Sequence, residues 1–337
     1  MSQKAIIVTS PQKGDLVTDR AIPALRDDYL LVKTVSVALN PTDWKHIAFL
    51  APQGSLIGCD YAGIVEEVGK NVKKSFKKGD RVCGFAHGGN AYIAVKGDIQ
   101  IHIPENLSFQ EAATLGVGIS TVGQGLYQSL KLALPTEPTK EATPILIYGG
   151  STATGALAIQ FAKLSGYTVL TTCSPHNFEL VKSLGADAAF DYKDANSVAE
   201  IRKYTNNNLK LVFDTISVEA STKYCDAVIS PEGGDYSALL AVGIERANVH
   251  DRWTLAYTIV GEEFMFGQTR FPTKPEDQAF AENFWAISEK LLAEGKIKIH
   301  RPSVRPHGLK GVLEGLELLK ADKVSGEKLV YNVSETP

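Results

Sequence analysis

Apolar and polar positions change their rhythm twice along this chain. Over the first 105 residues the apolar positions fall in short runs rich in Val and Ile, such as KAIIVTS, LLVKTVSVALN, YAGIVEEVG, DRVCGF and AYIAV. Turn residues such as KKGD and HGGN separate them. Strand following strand without helices between predicts a β-barrel-like domain. Between Ser108 and Leu130 the runs turn helical and carry several glycines, GVGISTVGQG, and a Pro/Thr/Glu loop follows at 134–144.

From Pro144 onward strands and helices alternate. Strands are expected at 144–148, 167–172, 187–191, 209–216 and 235–242, with helices at 153–165, 177–184, 196–205 and 218–229. This rhythm predicts a doubly wound parallel sheet, a Rossmann domain covered on both faces. Residues 243–276 read as irregular; a helix over 277–294 and a strand in EKLVYNV close the chain. The expected organisation is α/β, with a β-rich domain over 1–119 that is resumed at 277–337 and a cofactor domain over 120–276.

Length changes this picture little, because 337 residues suit about two domains. A net charge of −3 argues against nucleic acid or an anionic membrane as partner. Cys59, Cys83, Cys173 and Cys225 form no C-x-x-C pair, so neither a disulfide framework nor a cysteine zinc site is expected. No apolar run nears the ~20 residues of a membrane span, and MSQKAIIVTS lacks the features of a secretory signal. A cytoplasmic protein is expected.

The first strand-to-helix junction reads IYGGSTATG, Ile147–Gly155. Backbone amides at a helix N-terminus bind phosphate, and glycines let the turn tighten and the helix pack close. Gly150 and Gly155 fit the outer positions of G-x-G-x-x-G, while Thr152 takes the middle one. Ser151, Thr152 and Thr154 supply hydroxyls in compensation, with Ala153 among them. An ordinary glycine turn is the alternative; the place at the head of a βα alternation favours a dinucleotide. NAD sites carry an acid about 20 residues on, yet no carboxylate occurs between Gly150 and Glu179. An acid beside a 2′-phosphate costs roughly 4 kcal/mol at ~4 Å and intermediate dielectric. NADP is therefore permitted, with Ser174, His176 and Asn177 as donors and Tyr192 closing over them. The other reading of CSPHN is a helix cap.

Several stretches together resemble the medium-chain dehydrogenase/reductase superfamily: NPTDWK, GCDYAGIVEEVG, KKGDRV, GISTVG, IYGGSTATG and SGEKLVYNV. GGSTATG, TCSPHNF and SGEKLV resemble most the fungal trans-acting enoyl reductases that serve polyketide synthases, the lovastatin enoyl reductase type. The resemblance implies a GroES-like substrate domain split in sequence, and NADPH as hydride donor. Where zinc members hold the metal, this chain has Asn40, Cys59 and Val117. One possible ligand of three does not make a catalytic zinc site, so no metal is expected.

The resemblance further implies a cofactor set of Thr42, Asp43, Lys45, Leu239, Leu240, Lys328 and Leu329. It puts Gly118, Ile119, Ser120 and Thr121 beside the substrate, and Ile259, Val260 and Gly261 along an acyl chain. Without a metal, hydride addition to an activated C=C needs donors for the enolate oxygen and a proton at the α-carbon. Lys45 and Thr121 are the candidate catalytic residues; a solvated lysine and a threonine bonded to its own helix are the alternatives. Some relatives carry a proton-donating tyrosine in this region, but NPTDWKHIAF has none, so that role is not carried over. The Pro and Gly of FMFGQTRFPTKPEDQ, 264–278, argue against a clean edge strand and for a monomer. The expected reaction is NADPH-dependent reduction of an unsaturated acyl thioester, free or carrier-bound. Quinone or 2-enal reduction, or non-catalytic NADPH binding, would use the same fold.

Overall fold

The computed structural model describes residues 2–88 and 91–337; the last two residues of the HGGN turn lie outside them. The chain divides into two compact units, Met1–Ser120 with Tyr257–Pro337, and Thr121–Ala256.

The first unit begins with a hairpin of β1 (Ser2–Ser10) and β2 (Lys13–Ala21). Next come β3 (Tyr29–Ala38), the short helix α1 (Pro41–Lys45) and a π-helical turn His46–Leu50. Then β4 (Asp60–Val68), β5 (Arg81–Phe85), β6 (Tyr92–Lys96) and β7 (Gln100–His102) follow. Helices α2 (Phe109–Ala112) and α3 (Gly116–Val122) lead into the second unit. Alternation drives the sheet: Leu30 and Val32 of β3 bury with Tyr61, Val65, Val82, Ile93 and Val95.

The second unit holds β8 (Pro144–Tyr148), α4 (Ala153–Leu164), β9 (Thr168–Thr172), α5 (Phe178–Ser183) and β10 (Ala188–Phe190). It continues with α6 (Ser197–Tyr204), β11 (Leu211–Asp214), α7 (Glu219–Val228), β12 (Gly234–Ala238) and β13 (Val249–Trp253). All pairings are parallel, in the order β10-β9-β8-β11-β12-β13. This is the doubly wound order, and its switch point falls between β8 and β11. Leu146, Leu170, Val212 and Tyr236 bury between the layers.

Strand β13 lies within the stretch expected to be irregular. It is an edge strand, VHDRW, with only Val249 buried, so it lacks the apolar run of a central strand. The chain re-enters the first unit at Tyr257, earlier than the expected 277. There it forms a 3-10 segment Ala256–Val260 and a hairpin of β14 (Phe264–Phe266) and β15 (Thr269–Phe271). Two strands thus form where Pro and Gly argued against one. Gly267, at φ +56, makes the turn, and Phe264 stacks on Phe271 with ring centroids 5.1 Å apart.

Helix α8 (Pro275–Ala293) lies where a helix was expected, and β16 (Pro302–Arg305), α9 (Gly308–Lys320) and β17 (Lys328–Asn332) complete the unit. The final sheet runs β16-β17-β3-β4-β5-β7, with β6 also on β3. Leu309, Val312 and Leu316 of α9 pack on Leu329 and Tyr331. Gly311 and Gly315 allow that contact: an added Cβ would come within 2.8 Å and 2.3 Å of the Tyr331 ring and hydroxyl. Among the described residues no helix is long and apolar enough to cross a membrane.

The returning strand is fastened by one buried charge. The Lys328 ammonium pairs with Asp60 and donates to Asn40 Oδ1 at 2.9 Å and to the Thr114 carbonyl at 3.2 Å. Asp60 Oδ1 in turn accepts the Val117 amide at 2.5 Å, which sets the start of α3. Removing one partner of a buried pair leaves the other charge uncompensated. Lys328→Met is therefore expected to destabilise the protein by about 3–5 kcal/mol in urea unfolding, and a second change, Asp60→Asn, to recover part of that loss.

Candidate functional site

In the second unit the chain leaves β8 through Gly149, whose φ of +86 only glycine adopts freely. A Cβ there would meet Thr215 Oγ1 at 2.7 Å; one at Gly150 would meet Thr171 Oγ1 at 2.0 Å, and one at Gly155 the Gly149 carbonyl at 2.2 Å. The tight turn therefore belongs to Gly149, and Gly150 and Gly155 serve close packing. Thr152 is the N-cap of α4: its Oγ1 accepts the Gly155 amide at 2.9 Å and donates to the Gly149 carbonyl at 2.9 Å. Its hydroxyl thus closes the turn and is not the phosphate donor expected from sequence. Half-buried Ser151, Ala153 and Thr154 remain at the head of the helix, where first-turn amides lack intrahelical partners. A turn opened by two glycines, ahead of a twelve-residue helix, fits a dinucleotide pyrophosphate.

Strand β9 leads into a 3-10 turn Pro175–Asn177 that begins after half-buried Ser174. His176 is exposed and its Nε2 lies 3.2 Å from Asn177 Nδ2. Tyr192 is exposed, with the Lys193 ammonium 5.6 Å from its ring centre. Asp191 also stands here, accepting the Lys193 amide at 3.0 Å. This acid follows β10, outside the stretch after β9 where the acid of an NAD site is expected. Beyond β12, the Leu239 amide donates to Ser217 Oγ at 2.7 Å, and Leu240 is exposed. Buried Asp214 shapes that edge: it accepts the Ile216 and Ser217 amides at 2.9 Å and the Tyr236 hydroxyl at 2.8 Å. No sequence motif pointed to it.

In the first unit, Asn40 precedes α1, and its amide donates to Asp43 Oδ2 at 2.7 Å. Asp43 Oδ1 is buried and meets no partner of good hydrogen-bond geometry, although the Cys59 thiol lies beside it. Burial, reinforced by the charge of Asp60, pushes the Asp43 carboxyl up to about 7. Lys45 is half-buried, 5.7 Å from the Trp44 ring centre, and among the described residues no carboxylate pairs with it. Burial lowers its pKa.

Thr42 Oγ1 lies 3.0 Å from the Tyr257 hydroxyl, which lies 3.1 Å from Cys59 Sγ. A tyrosine hydroxyl thus does reach the NPTDWK turn, but from the returning segment. It went unforeseen because the contact spans more than two hundred positions of sequence. Among the described residues no group of three or more His, Cys, Asp and Glu side chains is placed to hold a metal. All four cysteines are free and buried.

The remaining expectations divide. Ser120 Oγ donates to the Gly116 carbonyl at 2.8 Å and accepts from Trp285 Nε1 at 3.3 Å, so it serves packing. Gly118, Ile119 and Thr121 are buried in α3. Ile259 is core; Val260 lines a cavity of about 280 Å³ with Phe85, His87, Tyr257 and Phe264. Gly261 turns the chain at φ +70. Arg26 donates to Glu262 at 2.9 and 2.6 Å at the rim of that cavity. Lys328, a residue of the expected cofactor set, has its ammonium enclosed by Asp60, Asn40 and Thr114. Leu329 packs in the core, and its carbonyl accepts the Leu39 amide at 3.0 Å.

Residues 26–134 match the alcohol dehydrogenase GroES-like domain, and residues 153–249 match the zinc-binding dehydrogenase family. The trans-enoyl reductase TOXD of Cochliobolus carbonum is 66% identical over 292 residues, 84% of this chain and 98% of that one. The trans-enoyl reductase resD of Aspergillus sclerotiorum is 49% identical over 98% of this chain and 100% of its own. Among solved structures, the quinone oxidoreductase of Coxiella burnetii shares the fold at a TM-score of 0.74 and 25% identity, covering 99% of this chain and 100% of that one. The CurK enoyl reductase does so at 0.78 and 20% identity, covering 98% and 99%.

Asp43 gives the first unit a pH signature. Its pKa is about 7 folded against an ordinary 3.8, so the native state holds an extra proton between those values. Its contribution to stability is full below pH ~4 and is lost as pH rises through 7, at up to about 1.4 kcal/mol per pH unit. Asp43→Asn keeps an acceptor for the Asn40 amide. Urea unfolding at pH 4.5 and 7 is expected to show a smaller pH dependence in this variant than in the wild type.

Proposed function

Because the chain belongs to the medium-chain dehydrogenase/reductase superfamily, and within it to the family of fungal trans-enoyl reductases, we propose that it reduces the C=C bond of an α,β-unsaturated acyl thioester with NADPH and without a metal. The reading is supported above all by the neighbourhood of Cys59. At the place of a metal ligand in zinc relatives, its thiol is hydrogen-bonded to Tyr257, and the Asn40 side-chain oxygen accepts from the Lys328 ammonium. Neither group is disposed toward a shared cation.

When bound, the reduced nicotinamide supplies the hydride that the β-carbon takes. The chain's own residues do the rest. The turn at Gly149 and Gly150 and the head of α4, with Ser151 and Thr154, hold the pyrophosphate. Ser174, His176, Asn177 and Tyr192 hold the 2′-phosphate; Leu239 and Leu240 pack on the cofactor. Thr42 and Lys45, one helical turn in the first unit, hold the nicotinamide ribose. Lys45 and Thr121 donate to the enolate oxygen, where negative charge develops. Half-burial strengthens that role for Lys45, since a less hydrated ammonium with no carboxylate partner is a better donor. Val260 and its cavity take the acyl chain. The substrate arrives on the carrier of a polyketide synthase, and the enzyme acts as a monomer.

Steady-state assays with a crotonyl-type thioester, a free enal and a quinone test the reaction. NADPH oxidation is expected with the thioester foremost; turnover with quinone alone, or tight NADPH binding with no turnover on any of them, overturns the reading. NADH is expected to show a higher KM. Lys45→Ala is expected to lower kcat/KM by about 10²-fold, the effect of losing one such donor, and to raise the KM for NADPH. Unchanged kinetics remove Lys45 from the site.

A further inference from the structure

We propose that Tyr257 is a positioning residue, whose phenolic hydroxyl ties the turn carrying Thr42 and Lys45 to Cys59 at the entry to β4. The inference rests on the reading of Thr42 and Lys45 as cofactor-site residues.

Helix α1 has five residues and runs directly into a π-helical turn. A helix this short has no stability of its own, and π turns are rare and held by their surroundings. Its geometry is therefore imposed from outside. At its start the Asn40 amide meets Asp43 at 2.7 Å. On its side the Tyr257 hydroxyl meets Thr42 at 3.0 Å. Lys45, at its end, has no carboxylate to fix it among the described residues, so the placing of its ammonium follows the placing of the turn.

Tyr257 is suited to that task. It is 4% exposed, and its ring is caged by Phe266, His87, His46 and Phe85 at centroid distances of 4.8, 4.9, 5.3 and 5.3 Å. A ring so confined cannot swing its hydroxyl to another partner. That hydroxyl has one proton, so it donates to one of Thr42 and Cys59 and accepts from the other. Cys59 lies in the residue just before β4 and is itself buried, so it is a fixed anchor. The sulfur that stands at a metal-ligand place thus holds a phenol, and the phenol holds the turn. Thr42 keeps a second contact, with His46 Nδ1 at 3.2 Å, but His46 belongs to the same helical stretch and cannot anchor it to the sheet.

Tyr257→Phe keeps the ring and removes the hydroxyl. In the full-length protein, hydrogen exchange of the amides of residues 41–50 is expected to quicken about tenfold, the effect of one lost hydrogen bond, with the second unit unchanged. Thr42→Val is expected to do the same and Thr42→Ser to retain wild-type exchange, which provides the test if Tyr257→Phe fails to fold. The Kd for NADPH, read by nicotinamide fluorescence, is expected to rise about three- to tenfold in Tyr257→Phe. In a Lys45→Ala background the same change is expected to add little. Unaltered exchange over 41–50 overturns the proposal, as does a full additional loss of affinity in the Lys45→Ala background. Faster exchange with NADPH binding indifferent to Lys45→Ala upholds the tie to the turn and overturns the cofactor role of Lys45 instead.

Discussion

A single buried ammonium joins the beginning and the end of the first unit. Lys328 lies on β17, Asp60 opens β4, Asn40 precedes α1 and Thr114 precedes α3. These four segments are separate in sequence; β17 supplies the cation, and each of the other three contributes an oxygen to it. A lysine out of water requires such enclosure, because its lost hydration must be replaced by oxygens of the protein. The pairing therefore determines more than a strand register. It fixes where α1 begins and, through the Val117 amide, where α3 begins. A split domain depends on a device of this kind, since its two pieces share no chain continuity.

Two levels of rigidity then meet in the first unit. The sheet is fixed by burial and by the ion pair, while the short helix beside it is held by the Asp43 cap, the Tyr257 hydroxyl and the packing of Trp44 and Ile47 on the cluster around α9. Asp43 belongs to both levels. Its carboxyl caps the Asn40 amide yet sits in surroundings that disfavour its charge. In the second unit the division differs. Three glycines and the Thr152 cap hold the head of α4, with little left to adjustment. Recognition of a phosphate by amides requires that stiffness.

The Rossmann unit was legible because central parallel strands are buried on both faces and read as continuous apolar runs. Its sixth strand was not, because β13 faces solvent on one edge and carries His250, Asp251 and Arg252. Helix α9 was missed for a different reason. Its Gly311 and Gly315 lower helix propensity, and their purpose appears only when Tyr331 is in place against them. The glycine turn was legible as a motif, but the roles within it were not. Thr152 reads equally as donor to a ligand or as cap, and only geometry separates the two. The ion pair of Lys328 was likewise not legible, because a lysine in sequence is a charge without a partner. Tyr257 was beyond reach, since no local pattern says which hydroxyl will meet NPTDWK from across the fold.

The cysteines have a consequence of their own. Unsaturated thioesters, enals and quinones are soft electrophiles that alkylate thiolates, so a protein handling them risks inactivation by its own substrate. Here burial pushes Cys59 and Cys225 well above the ordinary thiol range, raises Cys83, and with the charge of Asp191 carries Cys173 up to about 11. At neutral pH each of the four cysteines is therefore a sheltered thiol rather than an exposed nucleophile. A sulfur kept where zinc relatives bind their metal is harmless under these terms. Enclosure, which withdraws it from solvent, also protects it from conjugate addition.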